Sequence, residues 1–169
     1  MNNPFYLKLI DLHTEEKINV SQFIQNLGYL KGRLNKKCYP LMWNLIDSHD
    51  TARFLHLCND NKKKQHLAAA FQLLLPGMPM IYYGDEFAMP GANDPDCRRG
   101  MYWDEEYQDK EMFEWYKQLL KVRKNHACIV EGEPLEIAAR DGEETIVLTR
   151  KNDEETLALI FNCSSSARM

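Results

Sequence analysis

Two short, nearly continuous apolar runs, LMWNLI (41–46) and MIYY (80–83), constrain this chain more than any other feature. Each is bounded by a proline or glycine segment and closed by acidic residues, Asp-Ser-His-Asp after the first and Gly-Asp-Glu after the second. Short apolar runs without alternation are the pattern of strands buried on both faces, which occur in parallel sheets. Between them, helical periodicity is expected over Thr51–Cys58 and again over Asn61–Leu75, where Leu67, Ala70, Phe71 and Leu74 share one side. Strand, helix and strand at this separation make a βαβ unit with a right-handed crossover. The segment 84–108 is long, irregular and rich in Gly, Pro, Asp and Asn, as functional loops of α/β proteins are.

The flanking regions follow different rules. Pro4 suits the first turn of a helix running to about His13, and Ser21 is the expected N-cap of a second helix with Phe23, Ile24, Leu27, Leu30 and Leu34 as its apolar stripe. Gly28 and Gly32 in that helix either weaken it or permit close packing. A strongly amphipathic helix is predicted over 110–126 through Met112, Phe113, Tyr116, Leu119 and Leu120. Beyond it, PLEIAAR, TIVLTRK and TLALIFN are separated by turns carrying Asp-Gly and Asn-Asp, the grammar of an antiparallel meander. The change of period places a boundary near 126–132. The chain therefore divides into an α/β portion, 1–128, and a smaller β portion, 129–169.

Composition narrows the function classes. The net charge is −4, distributed as +4 over residues 1–80 and −8 over 81–169. That acidic balance excludes a strongly basic nucleic-acid binder, and Lys62, Lys63 and Lys64 read as a solvated helix start. No apolar run approaches the roughly 20 residues of a membrane span. Five scattered cysteines without a CxxC pair fit free thiols of a cytoplasmic protein and indicate neither a zinc site nor a disulfide framework.

Functional side chains of parallel α/β folds gather beyond the carboxyl ends of the strands, here Asp47–Asp50 and Gly84–Glu86. Carboxylates from both ends on one rim are minimal equipment for glycosidic cleavage, although Asp85 and Glu86 read more simply as helix caps. His49-Asp50 supports two readings equally. The imidazole and carboxylate can hydrogen-bond vicinal sugar hydroxyls, or Asp50 can cap a helix starting at Thr51. Tyr102 and Trp103 could stack on a sugar, with packing under the loop the simpler role.

The stretch NLIDSHDTARFL, followed about thirty residues later by LLLPGMPMIYYGDEFAMPGANDPDCRRGMYWDEE, resembles the α-amylase family, glycoside hydrolase family 13, and its neopullulanase, cyclomaltodextrinase and maltogenic amylase group. The similarity runs from Ser21 to Phe161. Ser48 stands where many members have Asn, a departure that leans toward the cyclomaltodextrinase group. The resemblance implies an α/β fold: the last two strands and helices of a TIM (β/α)8 barrel, followed by the start of an antiparallel β-sandwich domain. It also implies a retaining hydrolase of α-1,4 bonds in cyclodextrins, maltooligosaccharides or pullulan, with no cofactor and no metal. By the same resemblance Asp50 is the third catalytic carboxylate, the transition-state stabiliser, and His49 bonds hydroxyls of the same sugar. Asp94 and Arg98 match residues that hold a glucose further toward the non-reducing end, though a salt bridge ordering the loop is an alternative. The family's nucleophile and acid/base come from earlier strands, and no GxRxD-like segment precedes Asp50. The expectation is a C-terminal fragment of an enzyme about threefold longer, inactive alone, with barrel edges prone to self-association. A non-catalytic glucan-binding or interaction module is the alternative.

Overall fold

The structure, a computed structural model, describes residues 11, 18–33, 38, 41–140, 142 and 144–164. Apart from Asp11, the helix expected over Pro4–His13 lies outside them. The first helix, α1, spans Val20–Arg33. Its start is a reciprocal box one turn long: Gln22 N donates to Asn19 Oδ1 at 2.8 Å and Asn19 N donates to Gln22 Oε1 at 3.0 Å. Asn19, not Ser21, is thus the cap, because its pairing with Gln22 satisfies two backbone donors at once. Val20 and Phe23 are buried, while a Cβ on Gly28 or Gly32 would meet nothing within 4 Å. Neither glycine serves close packing among the described residues.

Strand β1 (Trp43–Asn44) pairs in parallel with β2 (Met78–Pro79). The second strand therefore falls two residues before MIYY, inside the proline- and glycine-containing segment (76–79) expected to bound that run. A parallel ladder draws on alternate N–H groups. Met78 N donates to Met42 O at 2.7 Å and Met80 N to Asn44 O at 2.9 Å, so Pro79 sits where no donor is needed. Side-chain amides flank the ladder: Asn44 Nδ2 donates to Pro76 O at 3.0 Å ahead of β2, and Gln72 Nε2 to Met80 O at 2.7 Å beyond it. Burial on both faces, expected for this pair, holds for one. Asn44 and Ile46 are buried, whereas Leu41, Trp43 and Met78 are 64%, 52% and 49% exposed.

Between the strands lie α2 (Phe54–Leu57) and α3 (Lys62–Leu74). The first is shorter than the expected Thr51–Cys58, because Ser48 and Thr51 close a turn of their own ahead of it. Asn61 caps α3, accepting from Lys63 N and Lys64 N at 3.1 and 3.3 Å, and Ala68, Ala69, Phe71 and Leu73 are fully buried. The loop that follows carries 3-10 turns at Asp85–Phe87, Asp96–Arg98 and Glu105–Tyr107 and a cis Asp94–Pro95 bond.

Helix α4 (Lys110–Asn125) is capped by Asp109, which accepts from Met112 N at 2.8 Å. Met112, Tyr116 and Leu119 face inward, but Leu120, expected on that stripe, is 42% exposed. A short helix unforeseen in the sequence, α5 (Ala127–Glu131), leads into the meander β3 (Glu133–Arg140), β4 (Thr145–Lys151) and β5 (Thr156–Asn162). Both pairings are antiparallel, with Val147 opposite Ala138 and Ile160. Buried Ile146, Leu148 and Arg150 alternate with more exposed neighbours, which is why period 2 was visible in the sequence. Phe161 of β5 stacks on Phe71 of α3 at 4.3 Å, and Phe71 leans on Phe23 of α1 at 5.3 Å. One aromatic column thus joins the helical layer to the meander.

Candidate functional site

After β1 the chain turns tightly: Thr51 N donates to Ser48 O at 3.2 Å and Asp50 N to Ser48 Oγ at 3.2 Å. The turn projects His49 and Asp50 outward, with side chains 64% and 59% exposed. Asp50 does not cap the following helix. That task belongs to Asp47, whose Oδ2 accepts from Phe54 N at 2.8 Å. Asp50 is left with an open carboxylate face.

The loop after β2 brings Asp94 and Arg98 to the same place. Arg98 Nε lies 2.9 Å from Asp94 Oδ1 and donates to His49 O at 2.9 Å, and Nη2 lies 3.8 Å from Asp50 Oδ1. Asp50 Oδ1 in turn lies 3.2 Å from His49 Nε2. All four residues singled out in the sequence therefore meet, with Arg98 as the hub between two carboxylates that are 44 positions apart. Exposed donors and acceptors on one surface can hydrogen-bond several hydroxyls of a polyol while remaining solvated in its absence. Asp94 and Arg98 do form the loop-ordering salt bridge foreseen as the alternative to sugar binding. The geometry accommodates both roles.

Neighbouring contacts stiffen the loop. Asp96 accepts from Ala92 N at 2.7 Å and pairs with Arg99 at 2.5 Å, and the Arg99 guanidinium holds the Asp96 carboxyl below its ordinary range. Arg99 also donates to Tyr102 Oη at 3.1 Å, and Tyr83 Oη donates to Arg99 O at 2.6 Å. Tyr102 is thereby tied to the loop through its hydroxyl and is half-buried. Trp103 is not packed under the loop: it is 81% exposed.

Beneath the turn lies a layer that the sequence reading missed. Asp85, read as a helix cap, is 1% exposed and pairs with the fully buried Arg53 at 3.3 Å. Burial pushes the Asp47 carboxyl up to about 6 and that of Asp85 well above its ordinary range. The available signal was an arginine between Ala52 and Phe54, in a segment otherwise suited to a core. Among the described residues no cluster of three or more His, Cys, Asp or Glu is arranged to hold a metal ion. A separate groove of about 380 Å³, between α3, α4 and β5, is lined by Leu67, Trp115, Leu119 and Ile160 and contains none of the four site residues.

Residues 1–132 match the family model of the alpha amylase catalytic domain. A cyclomaltodextrinase of Geobacillus thermopakistaniensis strain MAS1 is 36% identical over 167 residues, which is 99% of this chain and 28% of that protein. Neopullulanase 2 of Thermoactinomyces vulgaris is 35% identical, over 96% of this chain and 28% of its own length. A solved cyclomaltodextrinase superposes with a TM-score of 0.89 at 34% identity, covering 95% of this chain and 27% of that one. The chain thus spans little more than a quarter of the length of the proteins it matches.

Proposed function

Since the chain belongs to the α-amylase family, we propose that it carries the part of a retaining α-glucan hydrolase site that grips the sugar at and beyond the bond to be cleaved. The observation that supports this is the convergence of His49, Asp50, Asp94 and Arg98 on one exposed surface, with Arg98 bridging the two carboxylates. Asp50 is the transition-state stabiliser, accepting hydrogen bonds from vicinal hydroxyls, and His49 bonds the same ring. Such bonds raise the rate only where they strengthen as the ring flattens toward the oxocarbenium-like transition state. Asp94 and Arg98 hold the next glucose. Cyclodextrins, maltooligosaccharides and pullulan are the substrates in view, by likeness to relatives named cyclomaltodextrinase and neopullulanase.

In this reading residues 1–128 form the last two strands and helices of a (β/α)8 barrel and 129–169 the start of an antiparallel β domain. The nucleophile and acid/base belong to other strands of the barrel, and the 169-residue chain alone does not hydrolyse glucans. A relative named intracellular maltogenic amylase supports a cytoplasmic setting. Incubating the chain with cyclodextrin or maltotriose is expected to release no glucose or maltose. Release that disappears in Asp50→Asn would overturn this expectation. A second reading, a non-catalytic glucan-binding module, draws on the surface being assembled within this chain. It requires the isolated chain to bind an acarbose-like oligosaccharide by calorimetric titration, whereas the hydrolase reading expects binding only alongside the rest of the barrel.

A further inference from the structure

The turn bearing His49 and Asp50 stands on a buried ionic node whose charges do not balance. Asp47, Arg53 and Asp85 are 1%, 0% and 1% exposed. Arg53 ties the two rim segments together at several points. Its Nη1 donates to Tyr83 O at 2.8 Å and lies 3.3 Å from Asp85 Oδ1, its backbone N donates to Gly91 O at 2.9 Å, and its guanidinium sits 4.6 and 4.9 Å from the rings of Tyr82 and Tyr83. From α3, Gln65 Nε2 donates to Asp85 O at 3.1 Å, and from α4 the buried Tyr116 faces the same node.

Two carboxylates against one guanidinium would leave an uncompensated negative charge out of contact with water, an arrangement strongly disfavoured. Asp47 Oδ1 and Asp85 Oδ2 are buried and receive no N–H or O–H donor among the described residues, and Arg53 Nε and Nη2, Gln65 Oε1 and Tyr116 Oη beside them are likewise unpartnered there. The two carboxyl groups also lie within hydrogen-bond reach of each other. Like charges at that distance do not both persist, as in carboxylate dyads that share a proton. We propose that Asp85 is a neutral carboxylic acid donating its proton to the Asp47 carboxylate, and that Arg53, in the resulting electroneutral node, is the positioning residue that holds the His49–Asp50 turn against the loop after β2.

The surroundings favour Asp85 as the partner that keeps the proton, since Asp47 Oδ2 already accepts from Phe54 N at 2.8 Å. Burial lifts both carboxyls, but the Asp47 charge and nearby Glu86 add to the lift on Asp85, whereas the Phe54 N–H favours ionised Asp47. Arg53 opposes the lift on both, and Tyr82 and Tyr116, also raised by burial, remain neutral phenols. With the proton in place, the Asp47 carboxylate can both accept from Asp85 and start α2 at Phe54. Removing it would turn a hydrogen bond into a repulsion directly under the exposed pair.

The importance of this node for chemistry rests on the glucan-site reading, but its test does not depend on sugar. The full chain, labelled with 13C at aspartate carboxyl carbons, is followed by NMR together with the His49 ring resonances. At pH 7 one of the two buried carboxyls is expected to be protonated, and Asp85→Asn should erase that signal. Because the amide supplies an N–H in place of the O–H, Asp85→Asn should shift the melting temperature by no more than roughly 2–4 °C and leave the His49 resonances in place. Asp85→Ala, which removes both the donor and the Arg53 partner, should lower it several-fold further and move the His49 resonances. Finding both carboxyls ionised at pH 7, or Asp85→Asn as damaging as Asp85→Ala, overturns the shared proton. Unmoved His49 resonances in a folded Asp85→Ala overturn the positioning role. If Asp85→Ala fails to fold, the carboxyl spectra and Asp85→Asn still decide the shared proton. A glucan reading that fails shows itself separately, as sugar binding that stays absent even alongside the rest of the barrel, beside an intact carboxyl signal.

Discussion

Arg98 and Arg53 are both arginines paired with aspartates, yet their surroundings give them opposite energetics. Arg98 and its partners are half exposed, and ion pairs in water contribute about 0–1 kcal/mol. Arg98→Ala should therefore lower stability by no more than about 1 kcal/mol in urea denaturation, so any loss of sugar affinity would report the site and not the fold. Arg53 is fully buried, where removing one partner of a pair costs on the order of 3–5 kcal/mol. The buried carboxyls also set a pH dependence. Both Asp47 and Asp85 bind protons more tightly folded than unfolded, so their contribution is complete below about pH 4 and declines as pH rises, for Asp47 through about pH 6 and for Asp85 beyond. Carboxyls held low, such as Asp96 and Glu155, act in the opposite sense and only in the acid range. Urea midpoints should accordingly fall between pH 5 and pH 8, and Asp85→Asn should flatten that slope.

At the scale of elements, periodicity was legible wherever one face is buried and the other wet. The helices over 62–74 and 110–125 and all three strands of the meander lie close to where their patterns put them. Short elements without a period were less readable. The strand expected at 80–83 lies at Met78–Pro79, where amide side chains distant in sequence close the ladder at both ends: Asn44 Nδ2 donates to Pro76 O before it and Gln72 Nε2 to Met80 O beyond it. Gly77 makes this junction possible. Its φ is +127°, and a Cβ there would stand 2.8 Å from Met42 O and 2.7 Å from the Asn44 side chain. Gly77→Ala should cost about 1–3 kcal/mol by thermal melting, through strain at the β1–β2 start. A variant as stable as the parent would mean that the pairing has slack.

Across the whole molecule, the column of Phe23, Phe71 and Phe161 makes the meander and the helical layer share a core. Phe161→Ala should cost about 3–5 kcal/mol in a single cooperative transition. Two separated transitions in calorimetry would show instead that the portions unfold independently. Exposed Leu41, Trp43 and Met78 on one side and Ile160 on β5 leave apolar surface open to the solvent. Sequence by itself determined the parts of this protein that depend on neighbours along the chain: the helix and strand periods, and the choice of His49, Asp50, Asp94 and Arg98 as candidates through their motifs. Tertiary structure decided what depends on distant partners. It turned Asp85 from a cap into a buried acid facing Arg53, freed Asp50 by giving the capping task to Asp47, and set Arg98 between Asp50 and Asp94. The reason is physical: periodicity and motifs are short-range regularities, whereas burial, charge balance and proton sharing are properties of a packed environment that no segment carries alone.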